Sequence, residues 1–233
     1  MLGRWPWLGM TVYRSTVTAD GKFSAMGRTY PIYDTPDNGL VAAALRAHPD
    51  RFWGWVFVNP RAADPLAELE RWGAEPGWIG VKAHPFWHRY PLSLLDDVAA
   101  YCVERDWPLL VHLGSDREGN DPRTLPDRHP RLKMVYAHAG VPFFRGAWAV
   151  ARESDRVFVD LSNPLYVGEQ VRLQAIHTLG AERCLYGTDG PYAHASQTRM
   201  LQAIDRLPLT DGEKERVLGR NFTDLIGAAS SDD

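Results

Sequence analysis

Six short apolar runs recur along this chain at an interval that leaves few folds open. They occupy residues 52–58, 78–82, 109–112, 133–137, 156–161 and 183–186. Each is nearly continuous in apolar character, as expected of strands buried on both faces. The residues that close the runs are Asn59, His84, His112, His138, Asp160 and Asp189, spaced by 25, 28, 26, 22 and 29 positions. Such an interval is too long for a hairpin and matches one strand plus one crossover helix. The intervening stretches carry helical signals over 64–72, 93–105, 143–152, 168–179, 195–206 and 211–218. Ser93 reads as an N-cap, Gly180 as a C-terminal stop, and Thr210 with Glu213 as a capping box.

Parallel βα units either close into a barrel or remain an open, doubly wound sheet. An open dinucleotide-binding sheet carries a glycine-rich first turn, and neither G-x-G-x-x-G nor a P-loop occurs here. Polar residues recur instead at the carboxyl ends of successive strands, where barrel active sites assemble. The expected fold is therefore α/β, a TIM-like (β/α)₈ barrel. With 233 residues the chain is slightly short of the roughly 250 typical of that fold. Residues 1–51 offer one further unit, a strand over 10–18 and a helix over 36–47, making seven of eight. The barrel is expected to be incomplete, its first βα unit missing or degenerate. A single domain over 1–233 is expected, with an atypical segment at 1–35 and a tail at 228–233.

A net charge of −3 gives no reason to expect a nucleic-acid partner. No apolar run reaches the roughly 18 residues of a membrane span, and no signal peptide is evident. Cys102 and Cys184 fit neither a disulfide framework nor a metal spacing and read as core residues of a cytoplasmic protein. Of the nine Trp, nine Tyr and eight Phe, most read as core. Trp5, Trp7, Phe86, Trp87 and Tyr192 are candidates for a pocket or subunit contact.

The chemistry concentrates at the strand ends. One strand-end histidine is usually structural, but His84, His112 and His138 in succession, followed by Asp189, form a pattern. Lys82 stands out because the chain uses 22 Arg and only 4 Lys, so a lysine inside a buried strand points to a need for its compact ammonium. Asp160 reads either as functional or as a cap on the following turn. His48, His129 and His177 fall on helices or helix ends and read as surface residues. His88 and His194 lie in loops on the mouth side. Imidazoles and a carboxylate at one mouth suit Zn²⁺ or a similar divalent ion, with an Asp and a His available for proton transfer. No G-x-S-x-G elbow supports a serine nucleophile.

Five segments carry a family resemblance: Gly80-Val81-Lys82-Ala83-His84-Pro85, Leu110-Val111-His112, the 129–140 stretch ending Tyr136-Ala137-His138-Ala139-Gly140, Val159-Asp160-Leu161, and Tyr186-Gly187-Thr188-Asp189. Together with the stretches at 44–52 and 58–60 and Arg220-Asn221-Phe222, their order resembles the amidohydrolase-related family of metal-dependent barrel hydrolases and decarboxylases. That resemblance implies His112 as a metal ligand and Asp189 as both metal ligand and proton acceptor. It implies His138 as the histidine that contacts substrate and orients the nucleophile, with Lys82 and His84 lining the substrate. The implied activity is metal-dependent hydrolysis of a small organic molecule, with non-oxidative decarboxylation as the alternative. A homodimer is the implied assembly.

The family's opening His-x-His, which supplies two ligands, is absent, and the first histidine is His48. Three explanations stay open. The strand lies upstream of residue 1; or the metal is bound differently, through His84, Lys82 or His138; or the barrel has lost metal chemistry and serves as a binding protein.

Overall fold

The computed structural model describes residues 16–25, 27–62, 64–190 and 197–228. The chain opens with β1 (Thr16–Val17), β2 (Lys22–Ala25) and β3 (Arg28–Pro31), an antiparallel three-stranded sheet. Helix α1 (Gly39–Ala47) follows, and then the repeat begins: β4 (Gly54–Val58), α2 (Pro65–Gly73), β5 (Trp78–Ala83), the short α3 (Pro85–His88), α4 (Asp96–Arg105), β6 (Leu109–Val111), α5 (Thr124–Arg128), β7 (Met134–Tyr136), α6 (Phe144–Glu153), β8 (Val157–Asp160), α7 (Glu169–Leu179), β9 (Cys184–Leu185) and α8 (Gln197–Asp205). Helices α9 (Asp211–Glu215) and α10 (Asn221–Ile226) close the chain, joined by a π turn over Arg216–Arg220.

Strands β4 to β9 form one parallel sheet in sequential order. Alternate residues face opposite sides. Val56, Val58, Leu109, Val111, Met134, Tyr136, Val157, Val159 and Cys184 join the helices in one core. Val135, Phe158 and Leu185 face the other way and pack with Leu225 of α10. Sequential parallel strands, helices outside and a second core on the concave face make the wall of a (β/α)₈ barrel, as the spacing predicted.

Helix α10 lies across that concave face. Phe222 packs against the Val135–Phe158–Leu185 cluster, and its ring sits 5.8 Å from Trp53 and 6.4 Å from Trp55. Asn221 anchors the helix by donating to the carbonyls of Ala181 and Cys184 at 2.7 and 2.9 Å. At the β4 edge, the buried Asn38 side chain acts as a strand substitute. Its Oδ1 accepts from Phe57 N at 2.8 Å and its Nδ2 donates to Phe57 O at 3.0 Å, covering backbone groups that an edge would expose.

Several expectations need correcting. The strand expected over 10–18 as a barrel member ends, in its described part, as β1, paired antiparallel to β2. The cause is a hairpin at Asp20-Gly21, where Gly21 takes φ 73° and donates to Thr18 O. Residues 1–15 lie outside the described residues, and with them Trp5, Trp7 and the first part of the strand expected over 10–18. Ser93 is not an N-cap: it lies inside a 3₁₀ turn over Leu92–Leu95, and the α-helix starts at Asp96. The Thr210–Glu213 capping box forms as expected, with Glu213 N donating to Thr210 Oγ1 at 3.3 Å and Thr210 N to Glu213 Oε2 at 2.8 Å. Among the described residues, no helix is long and apolar enough to cross a membrane.

Candidate active site

Parallel strands deliver their carboxyl ends to one side of the sheet, and that side carries the polar residues singled out by spacing. Lys82 sits in β5 on the concave face, in register with Leu110 of β6. His84 follows the strand and caps α3, its Nδ1 accepting from Trp87 N at 3.2 Å. A continuous row of rings crosses the mouth. Trp87 stacks on His84 at 4.0 Å, His84 on His112 at 4.2 Å, His112 meets His138 edge-on at 4.7 Å, and Tyr166 lies 5.4 Å from His138. Phe86 stacks on His112 at 5.7 Å. The antiparallel sheet joins this row through Phe23, whose ring is 6.3 Å from Phe86 and 6.0 Å from Trp87.

The carboxylates complete the cluster. Asp160 Oδ1 accepts from the backbone N–H of His138 at 3.0 Å, from that of Ser162 at 2.9 Å, and from the Ser162 hydroxyl. The expected turn cap is thus real, and it reaches His138 as well. Ser162 Oγ lies 2.8 Å from His138 Nδ1. On the other side of that ring, Nε2 is 3.9 Å from Asp189 Oδ2, which accepts from Asn163 Nδ2 at 2.8 Å.

Burial sets the charges. It pushes His84 and His112 well below the usual imidazole value, helped by neighbouring imidazoles and Lys82. His138 is also pushed down by burial, against the pull of Asp160 and Asp189. The Asp189 carboxyl is pushed up by burial, opposed by His138 and Asn163. Lys82 is pushed down by burial, with Asp160 and Asp189 pulling it back. Burial thus works against charge on every one of these groups, on the imidazoles and Lys82 as on the Asp189 carboxyl.

The backbone is strained at the same place. His138, Ala139, Asn163 and Asp189 adopt φ of 53°, 56°, 58° and 59°. Left-handed conformations of non-glycine residues cost about 1–3 kcal/mol each and cluster at functional sites. Sequence reading missed Ser162, Asn163 and Tyr166. The Asn163-Pro164 step after a strand-end Asp was the available signal.

Lys82, His84, His112, His138 and Asp189 thus meet at one mouth. His88 is removed from it, its Nε2 bonded to Tyr33 O at 3.2 Å. His129 is half-buried and holds Asp96 Oδ1 at 2.8 Å, while His48 and His177 are exposed. His194 and Tyr192 lie outside the described residues. Both cysteines are buried and free, their thiols pushed up by burial.

A metal of the implied kind needs three protein ligands and an open position. Among the described residues, no group of three or more His, Cys, Asp or Glu side chains could hold a metal ion. His112 and Asp189 are two donors without a described third, so these residues alone do not fit a complete metal centre.

Comparison with known proteins agrees with this architecture. Among solved structures, the chain is similar to an uncharacterised TIM-barrel protein from Bordetella bronchiseptica (21% identity, 83% of this chain and 73% of that one, TM-score 0.70). It is also similar to 5-carboxyvanillate decarboxylase from Sphingomonas paucimobilis (20% identity, 82% and 71%, TM-score 0.64). A third is dihydroxybenzoic acid decarboxylase from Polaromonas sp. JS666, solved with bound manganese and the inhibitor 2-nitroresorcinol (18% identity, 84% and 75%, TM-score 0.64). Among curated proteins, no relative matches. The amidohydrolase family model matches residues 6–227, nearly the whole length. The chain belongs to the amidohydrolase family.

Proposed function

We propose that the barrel mouth is the active site of a hydrolase acting on a small organic substrate, with His138 and Asp189 as its proton-transfer pair. One observation carries this reading: His138 Nε2 and Asp189 Oδ2 face each other at 3.9 Å. That gap is too long for a direct hydrogen bond and suits one water donating to both acceptors. Such a water, losing a proton to the pair, attacks a carbonyl carbon. The bond to the leaving group then breaks, and the proton passes to the departing atom. Neutral His84 and His112 line the approach, and Lys82 supplies positive charge toward a developing oxyanion. A divalent ion, zinc in the expectation above, would draw on His112 and Asp189 and requires a further donor. No step here passes through it.

Non-oxidative decarboxylation is the second reading. The rings of Phe86, Trp87 and Tyr166 wall the mouth, a setting that disfavours a hydrated carboxylate, and two of the similar folds are named decarboxylases. Turnover of a panel of aryl esters, lactones, amides and aromatic carboxylates tests both, with water-oxygen incorporation reporting hydrolysis and CO₂ release reporting decarboxylation. Asp189→Asn and His138→Gln are expected to lose at least about 10²-fold in kcat while keeping the wild-type circular dichroism. Full activity in either variant removes the pair from the mechanism. Ligand-induced stabilisation without turnover would instead favour a binding protein.

A further inference from the structure

We infer that Asp160 and Ser162 are positioning residues that hold His138 in its Nδ1–H tautomer and so aim the Nε2 lone pair at the mouth. This rests on the reading of His138 as the proton acceptor opposite Asp189.

The inference follows from counting protons along the hydrogen bonds. The Ser162 hydroxyl has one proton, and it is donated to Asp160 Oδ1. Toward His138, 2.8 Å away, Ser162 Oγ therefore has only a lone pair to offer. The nitrogen facing it must carry the hydrogen, which makes His138 Nδ1 the donor. In the neutral ring that leaves Nε2 unprotonated, on the side of Asp189.

Asp160 is fixed for this task. Its Oδ1 accepts three bonds, from His138 N, Ser162 N and the Ser162 hydroxyl. It remains 3.9 Å from His138 Nδ1 and so reaches the imidazole through the serine. The same carboxylate receives the His138 N–H in a left-handed backbone that continues through Ala139 and Gly140, at φ of 53°, 56° and 85°. Ring and backbone of His138 are thus fixed by one carboxylate from the neighbouring strand. His138 is 4% exposed and Ser162 also 4%, so solvent does not readily replace either bond.

The test is long-range proton–nitrogen correlation on protein labelled with nitrogen-15 in its histidine rings, at pH 8. The His138 signals are assigned by their loss in His138→Gln. The wild type is expected to show a protonated Nδ1 and an unprotonated Nε2. In Ser162→Ala the population is expected to move toward the Nε2–H form, and Ser162→Thr, which retains the hydroxyl, is expected to restore it. With p-nitrophenyl acetate as the activity probe, Ser162→Ala is expected to lower kcat about 10–100-fold with KM within about threefold of wild type, and Ser162→Thr to recover most of it. An Nε2–H tautomer in the wild type overturns the inference, and so does an unchanged tautomer in Ser162→Ala. The wild-type spectrum alone decides if a variant does not fold. The expected tautomer shift in a protein that turns over no substrate would leave the relay standing and remove the proposed hydrolase.

Discussion

His84 and His112 stack face to face, their ring centroids 4.2 Å apart and their planes 24° apart. Two imidazolium ions at that separation repel by about 4 kcal/mol even at an effective dielectric of about 20. The stack therefore does not hold two charged rings, and burial works against charge on each of them. It bridges Trp87 on one side to His138 on the other, and the ring row that walls the mouth depends on it.

That dependence predicts a sloped acid limb of stability. Burial holds the folded pKa values of His84, His112 and His138 below the ordinary 6.5. In the unfolded chain these rings take up protons at about that value, while the folded protein does not. Stability is full above about pH 6.5 and is lost as pH falls below it toward the folded values. The steepest loss is about 1.4 kcal/mol per pH unit for each fully unmatched ring. Asp189, raised by burial, acts in the opposite sense between its ordinary 3.8 and its folded value, one group against three. Urea unfolding at pH 8.0, 6.5 and 5.5 should show a falling midpoint. His112→Asn should flatten the slope, and an acid limb unchanged in that variant would show that the ring does not titrate on unfolding.

Most of this cluster was legible because parallel strands convert a sequence interval into a spatial position. The closing residues of five successive runs, from His84 to Asp189, had to arrive at one end of the sheet once the runs were strands. What spacing could not supply was the loop chemistry. Ser162 and Asn163 matter through residues 24 and 26 positions away in the chain, and nothing local marks a serine as the partner of a distant histidine. The antiparallel sheet was missed for a different reason. Asp20-Gly21 is a hairpin signal, but pairing a strand over 10–18 directly with a helix over 36–47 passes over that turn. Helix α10 shows a third limit. Its apolar Phe222 and Leu225 announce a buried face, yet sequence does not say which side of the sheet will bury it.

Lys82 predicts a trade between stability and function. Its ammonium makes no hydrogen bond or ion pair within 4.0 Å to a described residue, although Asp160 and Asp189 act on it from farther away. Burial outweighs their attraction, so the charged form is held at a net cost. Lys82→Met keeps the aliphatic stem and removes the charge. It is expected to stabilise the fold by about 1–2 kcal/mol, raising Tm by about 3–6 °C for a chain of this size, while weakening turnover. A lower Tm would mean that Lys82 holds the two carboxylates together and that its charge is structural.

Asn38 allows a sharper test of how the sheet edge is protected, because two substitutions should rank in a definite order. Its amide answers Phe57 twice, oxygen to N–H and nitrogen to carbonyl, and also donates to Glu68 Oε1 at 3.1 Å. The residue is 2% exposed, so water does not easily take over those bonds. Asn38→Ala leaves a donor and an acceptor of β4 unmatched and is expected to cost about 2–3 kcal/mol. Asn38→Asp keeps the volume and still accepts from Phe57 N, but it turns a carboxylate oxygen toward the Phe57 carbonyl and Glu68. A buried charge facing two acceptors costs more than the three bonds that alanine loses, so the aspartate variant should unfold at lower urea than the alanine variant. The reverse order would show that Asn38 protects the edge chiefly by filling space, with its amide geometry of secondary importance.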